Sequence, residues 1–295
     1  MTSSSFPAQP LFIRTPAKIN LTLDVLGKRS DGFHDLLSVM QTIALYDTIA
    51  FWPMHEGVIS LDCGLPELCG TDNLVYRAVE LLRQETGCTY GVRIELHKAI
   101  PMQAGLGGGS SDGAATLVAL NDWWQLGLDS ATLMTLAAKL GSDVPFFIVG
   151  GTALIEGRGE IVRSLPDTSP FWLVVVKPPV NVPTANIFRT LQAHGYTDGS
   201  ATRNLVNLIE HGKLPEFTDV NLLNALEPGA ILQYPIIGLT KNSLFEVGAE
   251  TVRMSGSGPT LYVPCLTLAE AVHVYAGAQA TGAAAWLTHT VGKDK

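Results

Sequence analysis

The sequence predicts a two-domain α+β protein on three observations. With 295 residues, 46% of them hydrophobic and 16% charged, the chain exceeds the roughly 150 residues of a common domain and can bury a sizeable core. Stretches that alternate every second residue, as strands do, are mixed with stretches of helical spacing. Past about residue 167 the pattern resets, which places a boundary near 160–170 and domains at 1–165 and 166–295.

The elements follow in order. Residues 11–26, LFIRTPAKINLTLDVL, read as strand, a break at Pro16, then strand. In the second strand Ile19, Leu21, Leu23 and Val25 alternate with Lys18, Asn20, Thr22 and Asp24, so Lys18 and Asn20 share the polar face. A turn-rich connection covers 27–35, further strand 39–52, and loop 56–72. Asp72-Asn73 offers an N-cap to a helix over 74–86. A half-buried strand at 91–99 feeds a loop at 101–115 and an apolar helix to about Leu126. A helix at 130–140, capped by Asp129 or Ser130, stops at Gly141. Strands are expected at 151–156, 161–165, 171–176, 251–254, 260–264 and 284–289. Helices are expected near 184–194, 202–211, 220–229, 231–241 and 267–280.

Composition narrows the function. Against 27 acidic residues stand 19 Lys+Arg, a net charge of −8, which opposes broad nucleic-acid or anionic-membrane binding. No apolar run reaches the roughly 20 residues of a membrane span. Met1 to Pro10 has neither a basic nor an apolar signal region and reads as a short disordered lead-in. Cys63, Cys69, Cys88 and Cys265 form no CxxC pair, so structural zinc is not expected. Cys63 and Cys69 could in principle be bridged, but free thiols are the simpler reading.

GLGGGSS (105–111) is the strongest local signal. Strand, glycine-dense turn and helix start, in that order, gather backbone N–H groups and a positive helix end at one spot, which cradles phosphate. Glycines permit positive φ and close approach of a ligand, and Ser110 and Ser111 can cap the helix or donate hydroxyls to phosphate or Mg²⁺. Walker A requires Gly-Lys-Ser/Thr where Gly-Ser-Ser stands. The dinucleotide fingerprint requires glycine where Ser110 stands, which opposes a nicotinamide-dependent dehydrogenase. Taken alone, Lys18 reads as a solvated strand lysine and Asp143 as a cap of the turn before Pro145. A phosphate loop, one lysine and one aspartate together make a minimal small-molecule kinase, because phosphoryl transfer needs positioning, neutralised charge and a carboxylate for the attacking hydroxyl. Their joint presence also argues against an inert nucleotide-binding regulator.

Three segments resemble the GHMP small-molecule kinases: PAKINLTLDVLGKRSDGFH (16–34), KAIPMQAGLGGGSSDGAA (98–115) with GSDVPFF (141–147), and RMSGSGPTLYV (253–263). PAKINL followed by DGFH is similar, within that superfamily, to the kinases of a CDP-linked methylerythritol in the non-mevalonate isoprenoid route. The alternative is a homoserine, mevalonate or sugar kinase. The resemblance implies a ribosomal-S5-like N-terminal domain for ATP binding and catalysis, a ferredoxin-like C-terminal domain on the substrate side, and an active site between them. It implies ATP and Mg²⁺, with the metal ligands open, and a cytoplasmic monomer or homodimer.

By the same resemblance, Asp143 is the general base and Lys18 stabilises the deprotonated hydroxyl. Asn20 holds the substrate. Phe33 stacks on cytosine, with Phe188 on the opposite face, and His34 reads the base edge. Thr184 lies near the substrate, as do Gly256, Ser257 and Gly258 of SGSGPT, a segment that reads equally as a structural turn. Gly105, Leu106, Gly107, Gly108, Gly109, Ser110 and Ser111 wrap the ATP phosphates, and Asn73 and Lys98 lie near the adenosine half.

Overall fold

The structure, a computed structural model, describes residues 9–54, 57–191, 195–212 and 221–293. The expected lead-in up to residue 8 and the end of the helix expected over 184–194 (its residues 192–194) lie outside the described residues. Two compact units are interleaved along the chain. One comprises the residues up to Ala17, Leu45–Ile100 and Gly107–Ile148; the other comprises Lys18–Ala44, Pro101–Leu106 and the residues from Val149 on. The division cuts two long strands, β1 (Leu11–Lys28) after Ala17 and β2 (His34–Met54) after Ala44.

In the first unit come β3 (Ile59–Asp62), α1 (Leu74–Thr86), β4 (Gly91–His97), α2 (Gly108–Trp123), α3 (Ser130–Leu140) and α4 (Val144–Val149). β4 runs antiparallel to the later half of β2, with Thr48 opposite His97 and Met54 opposite Gly91, and parallel to β3. The strand β3 lies in a stretch expected to be loop; Ile59 and Leu61 alternate with Ser60 and Asp62, enough for a short pairing with β4. Asn73 caps α1 by accepting from the Val75 N–H, and Gly87, in the left-handed conformation, ends it. Asp129 does the same for α3 through the Thr132 N–H. Val75, Val79 and Leu82 of α1, Leu117 and Leu120 of α2, and Leu133 and Leu136 of α3 form one core with Ile49, Phe51, Val92 and Ile94. Each such side chain contributes about 1.5–3 kcal/mol by leaving water.

In the second unit the early half of β2 pairs antiparallel with β5 (Thr152–Gly157), and β5 with β6 (Ile161–Ser164). There follow β7 (Trp172–Lys177), α5 (Thr184–Thr190), α6 (Ser200–Glu210), α7 (Glu227–Gln233), α8 (Pro235–Glu246), β8 (Arg253–Met254), β9 (Leu261–Cys265), α9 (Leu268–Ala280) and β10 (Ala284–His289). An antiparallel sheet has the order β10-β7-β9-β8. α9 packs on β7, β9 and β10 beside α8. Val174, Val176, Leu261 and Val263 meet Ile237, Leu244, Val274 and Ala278 in its core. No helix among the described residues is long and apolar enough to cross a membrane.

Three expectations are corrected. β1 runs through Pro16 without a break, because proline's fixed φ suits an extended chain and costs a strand only one ladder donor. The helix expected at 220–229 (its residue 220 lies outside the described residues) is observed at Glu227–Gln233, and its successor at Pro235–Glu246. Pro228 and Pro235 each sit in a first turn, where a missing N–H is harmless. Finally, the polar face of β1 is no less buried than the apolar one: Lys18, Asn20, Thr22 and Asp24 are all 3% exposed or less. Hydrogen bonds within the fold hold these side chains, Asp24 Oδ1 alone among these polar tips having no partner among the described residues.

Candidate active site

In the second unit three backbone segments converge on Lys18. The Lys18 N–H donates to the Leu106 carbonyl (2.9 Å), which fastens β1 to the segment Pro101–Leu106. The Ser255 hydroxyl donates to the Gly105 carbonyl (2.9 Å) and ties that segment to the turn before β9. Asn224 fixes the same turn, its amide donating to the Met254 and Gly256 carbonyls (2.7 and 2.8 Å). Gly256 has φ +56°, and a Cβ there would stand 3.3 Å from Lys18 Nζ and 3.4 Å from Asn20 Oδ1. The Lys18 ammonium donates to Asn20 Oδ1 (2.6 Å), and the Asn20 amide donates to Ser38 Oγ (2.8 Å). Tyr262, fully buried and with its phenol pKa raised by burial, donates its proton to the Asn20 carbonyl (3.0 Å). The result is a buried ammonium of fixed position.

Gly105 is irreplaceable here. Its φ is +74°, and a Cβ would overlap the Ser255 carbonyl oxygen. We expect Gly105→Ala to lose ~1–2 kcal/mol from the left-handed backbone alone, and more from displacing the turn against Lys18. A lowered thermal midpoint together with reduced kcat checks this; wild-type values for both would remove the close approach.

The expected substrate-side residues also lie in this unit. Thr184, exposed at the start of α5, shares a hydrogen bond with Ser257 (2.8 Å). His34 is buried, its ring 5.3 Å from Phe188 and 6.1 Å from Tyr196. Burial, with the Lys28 charge adding, lowers the imidazole pKa, so the ring is neutral at pH 7. Phe33 is 52% exposed and carries the Arg158 guanidinium over its face at 5.0 Å. Each aromatic ring expected around cytosine thus has a neighbour of its own: Arg158 for Phe33, His34 for Phe188. Tyr196 was not legible, a single tyrosine in a polar stretch.

In the first unit Gly107, with φ +72°, is the N-cap of α2 and provides no side-chain cap. The glycine run is therefore not all loop. Gly108, Gly109, Ser110 and Ser111 form the first helical turn, whose leading N–H groups have no acceptor within the helix. Gly108 is a glycine for lack of room: a Cβ would meet Ile100 Cγ2 at 3.0 Å and Asp47 Oδ2 at 3.2 Å. The Ser111 hydroxyl is buried without a hydrogen-bond partner, and neither serine caps the helix.

Behind this turn lies a charged cluster. Lys98 Nζ donates to Asp112 Oδ2 (2.7 Å) and to Asp47 Oδ2. Asp47 Oδ1 accepts from the Ala99 and Ile100 N–H groups (2.6 and 2.8 Å), and Thr15 donates to Asp112 Oδ1 (2.6 Å). Burial pushes the Asp112 carboxyl up to about 6, with Lys98 pulling the other way. Burial alone would lower the Lys98 pKa, but the two carboxylates outweigh it and raise it. Lys98, expected near adenosine, thus has its ammonium between two aspartates, and neither Asp47 nor Asp112 stood out in the sequence. Asn73, also expected there, caps α1 and donates to the Leu68 carbonyl (2.8 Å). Asp143 sits in the turn that begins α4, half-buried, ahead of the buried Val144, Pro145 and Phe146.

The sequence matches profiles of the GHMP kinases N terminal domain over residues 73–151 and the GHMP kinases C terminal region over 205–284. The 4-diphosphocytidyl-2-C-methyl-D-erythritol kinase of Pelotomaculum thermopropionicum is 49% identical over 249 residues, covering 83% of this chain and 86% of that protein. A crystal structure of 4-(cytidine 5'-diphospho)-2C-methyl-D-erythritol kinase superposes with a TM-score of 0.82 at 32% identity, covering 96% of this chain and all of the other. Homoserine kinase from Cytophaga hutchinsonii shares the fold at a TM-score of 0.75, with 17% identity and coverage of 97% and 96%. The glycine-opened α2 and the lysine-bearing β1 thus stand in a chain whose identity extends over most of its length, and the chain belongs to the 4-diphosphocytidyl-2-C-methyl-D-erythritol kinase family of the GHMP kinases.

Proposed function

We propose that the chain transfers the γ-phosphoryl group of ATP to the 2-hydroxyl of 4-diphosphocytidyl-2-C-methyl-D-erythritol, giving the 2-phosphate, in the non-mevalonate supply of isoprenoid precursors, and that it works in the cytoplasm. The observation that carries this reading is the 49% identity to a kinase of that name over most of both chains. The site chemistry agrees. The open N-terminus of α2 suits the ATP phosphates, and the fixed ammonium of Lys18 suits an alkoxide. In the mechanism, Asp143 takes the proton of the 2-hydroxyl, Lys18 stabilises the oxygen as it becomes an anion, and Asn20 keeps the lysine in place. Neutral His34 has one ring nitrogen that donates and one that accepts, which suits the base edge of cytosine, while Phe33 and Phe188 offer it flat faces.

For Mg²⁺, no group of three or more His, Cys, Asp or Glu among the described residues is arranged to hold a metal. The residues present fit an ion carried mainly by the nucleotide, with the orphan Ser111 hydroxyl as the chain's contribution. When bound, Mg²⁺ neutralises charge on the phosphates.

A coupled ADP-release assay across acceptors tests the reading. The CDP-alcohol is expected to turn over, and homoserine, mevalonate and galactose at less than about a hundredth of its kcat/KM, since polar groups made to read cytosine are left unpaired by the others. Turnover of mevalonate in place of the CDP-alcohol would replace the assignment.

A further inference from the structure

We infer that Ser38 is a positioning residue for the phosphoryl transfer: its hydroxyl sets which way the Asn20 carboxamide faces, and thereby holds the Lys18 ammonium. The inference rests on the function proposed above.

Ser38 has one proton to give and lies 2.5 Å from the Thr22 carbonyl, which can only accept. The proton therefore goes to Thr22, and toward Asn20 the Ser38 oxygen can only accept. Its neighbour there, at 2.8 Å, must be the amide NH₂. That leaves Asn20 Oδ1 facing Lys18 Nζ at 2.6 Å, as an ammonium with three donors and no acceptor requires. A flipped carboxamide would set donor against donor at Lys18.

The surroundings permit no substitute. Lys18, Asn20 and Ser38 are each 3% exposed or less, so water does not fill a missing partner at low cost. Thr22 is fixed at its other end, its hydroxyl accepting from the Val39 N–H (3.2 Å) and sharing a hydrogen bond with the Thr202 hydroxyl (2.8 Å), which also bonds Asp24 Oδ2 (2.6 Å). Ser38 stands on β2, which pairs with β1, and so passes the rigidity of that strand pair to the ammonium.

Ser38→Ala, measured by ADP release from the full chain, is expected to lower kcat about tenfold, the factor carried by one hydrogen bond to a group holding a charge. KM for ATP and for the CDP-alcohol should stay within about threefold, since the lost interaction acts on the developing alkoxide. Ser38→Thr, which keeps the hydroxyl, is expected to restore kcat, and in an Asn20→Ala background Ser38→Ala should have no further effect. Should Ser38→Ala fold poorly, Ser38→Cys preserves the volume with a weak acceptor and is expected to show the same loss. Wild-type kcat in a folded Ser38→Ala or Ser38→Cys would overturn the inference, as would an undiminished effect in the Asn20→Ala background. Failure of the wild-type chain to phosphorylate the CDP-alcohol in the same assay would instead count against the proposed function.

Discussion

Asp143→Asn is expected to lower kcat for the CDP-alcohol by about 10²–10⁴-fold while KM for ATP changes little, the range in which positioned general bases act. The substitution preserves shape and removes both the negative charge and the ability to take a proton. The carboxylate stands at the entry to α4, where buried Val144, Pro145 and Phe146 and the Val144 N–H bond to the Gly141 carbonyl (3.3 Å) hold the backbone. A misplaced side chain is therefore a poor explanation of any loss. Because Asp143 and Lys18 are proposed to serve one oxygen, Lys18→Met on top of Asp143→Asn should cost much less than the product of the single effects. Single-turnover rates separate chemistry from product release. A single-turnover rate within threefold of wild type would remove Asp143 from the reacting centre and leave catalysis to charge and alignment.

Much of this was legible in sequence where the signal is local. The alternation from Lys18 to Val25 puts Lys18 and Asn20 on one face, and Asn73 opens the helix at 74–86 as capping chemistry requires. What escaped was contact between distant residues. Asp112 lies inside the glycine segment, yet its partners Lys98 and Thr15 are 14 and 97 positions away. Ser38 looks like any strand serine until its neighbour, 18 positions back, is known to be Asn20. Glycine is a poor helix former, so the glycine run reads as loop in sequence. Crowding decided otherwise at Gly108, where Ile100 and Asp47 leave no space for a side chain.

The second large effect is on stability. Lys98→Met is expected to cost about 3–5 kcal/mol at pH 7.5, the usual penalty for deleting one member of a buried ion pair. The side chains of Asp47, Asp112 and Lys98 are at most 9% exposed, so removing the ammonium leaves two carboxylates facing each other with little water. The sign of the pH dependence follows. In the wild type the Asp112 pKa is raised to about 6, above its unfolded value near 3.8, so its ionised form opposes folding, and that opposition is relieved as pH falls from about 6 toward 4. Lys98 has a raised pKa, so its stabilisation is complete below the unfolded value near 10.5 and is lost as pH rises through the folded one. Without Lys98 the carboxyl pKa climbs further, and the variant regains stability as acid protonates one aspartate. Urea melts at pH 5.5 and 7.5 should show the gap between wild type and Lys98→Met narrowing at the lower pH. Asp112→Asn retains the Asp47–Lys98 pair and removes the surplus negative charge, so its loss should be smaller than that of Lys98→Met. A gap of the same size at both pH values would mean that lost packing, not uncompensated charge, accounts for the lysine's contribution.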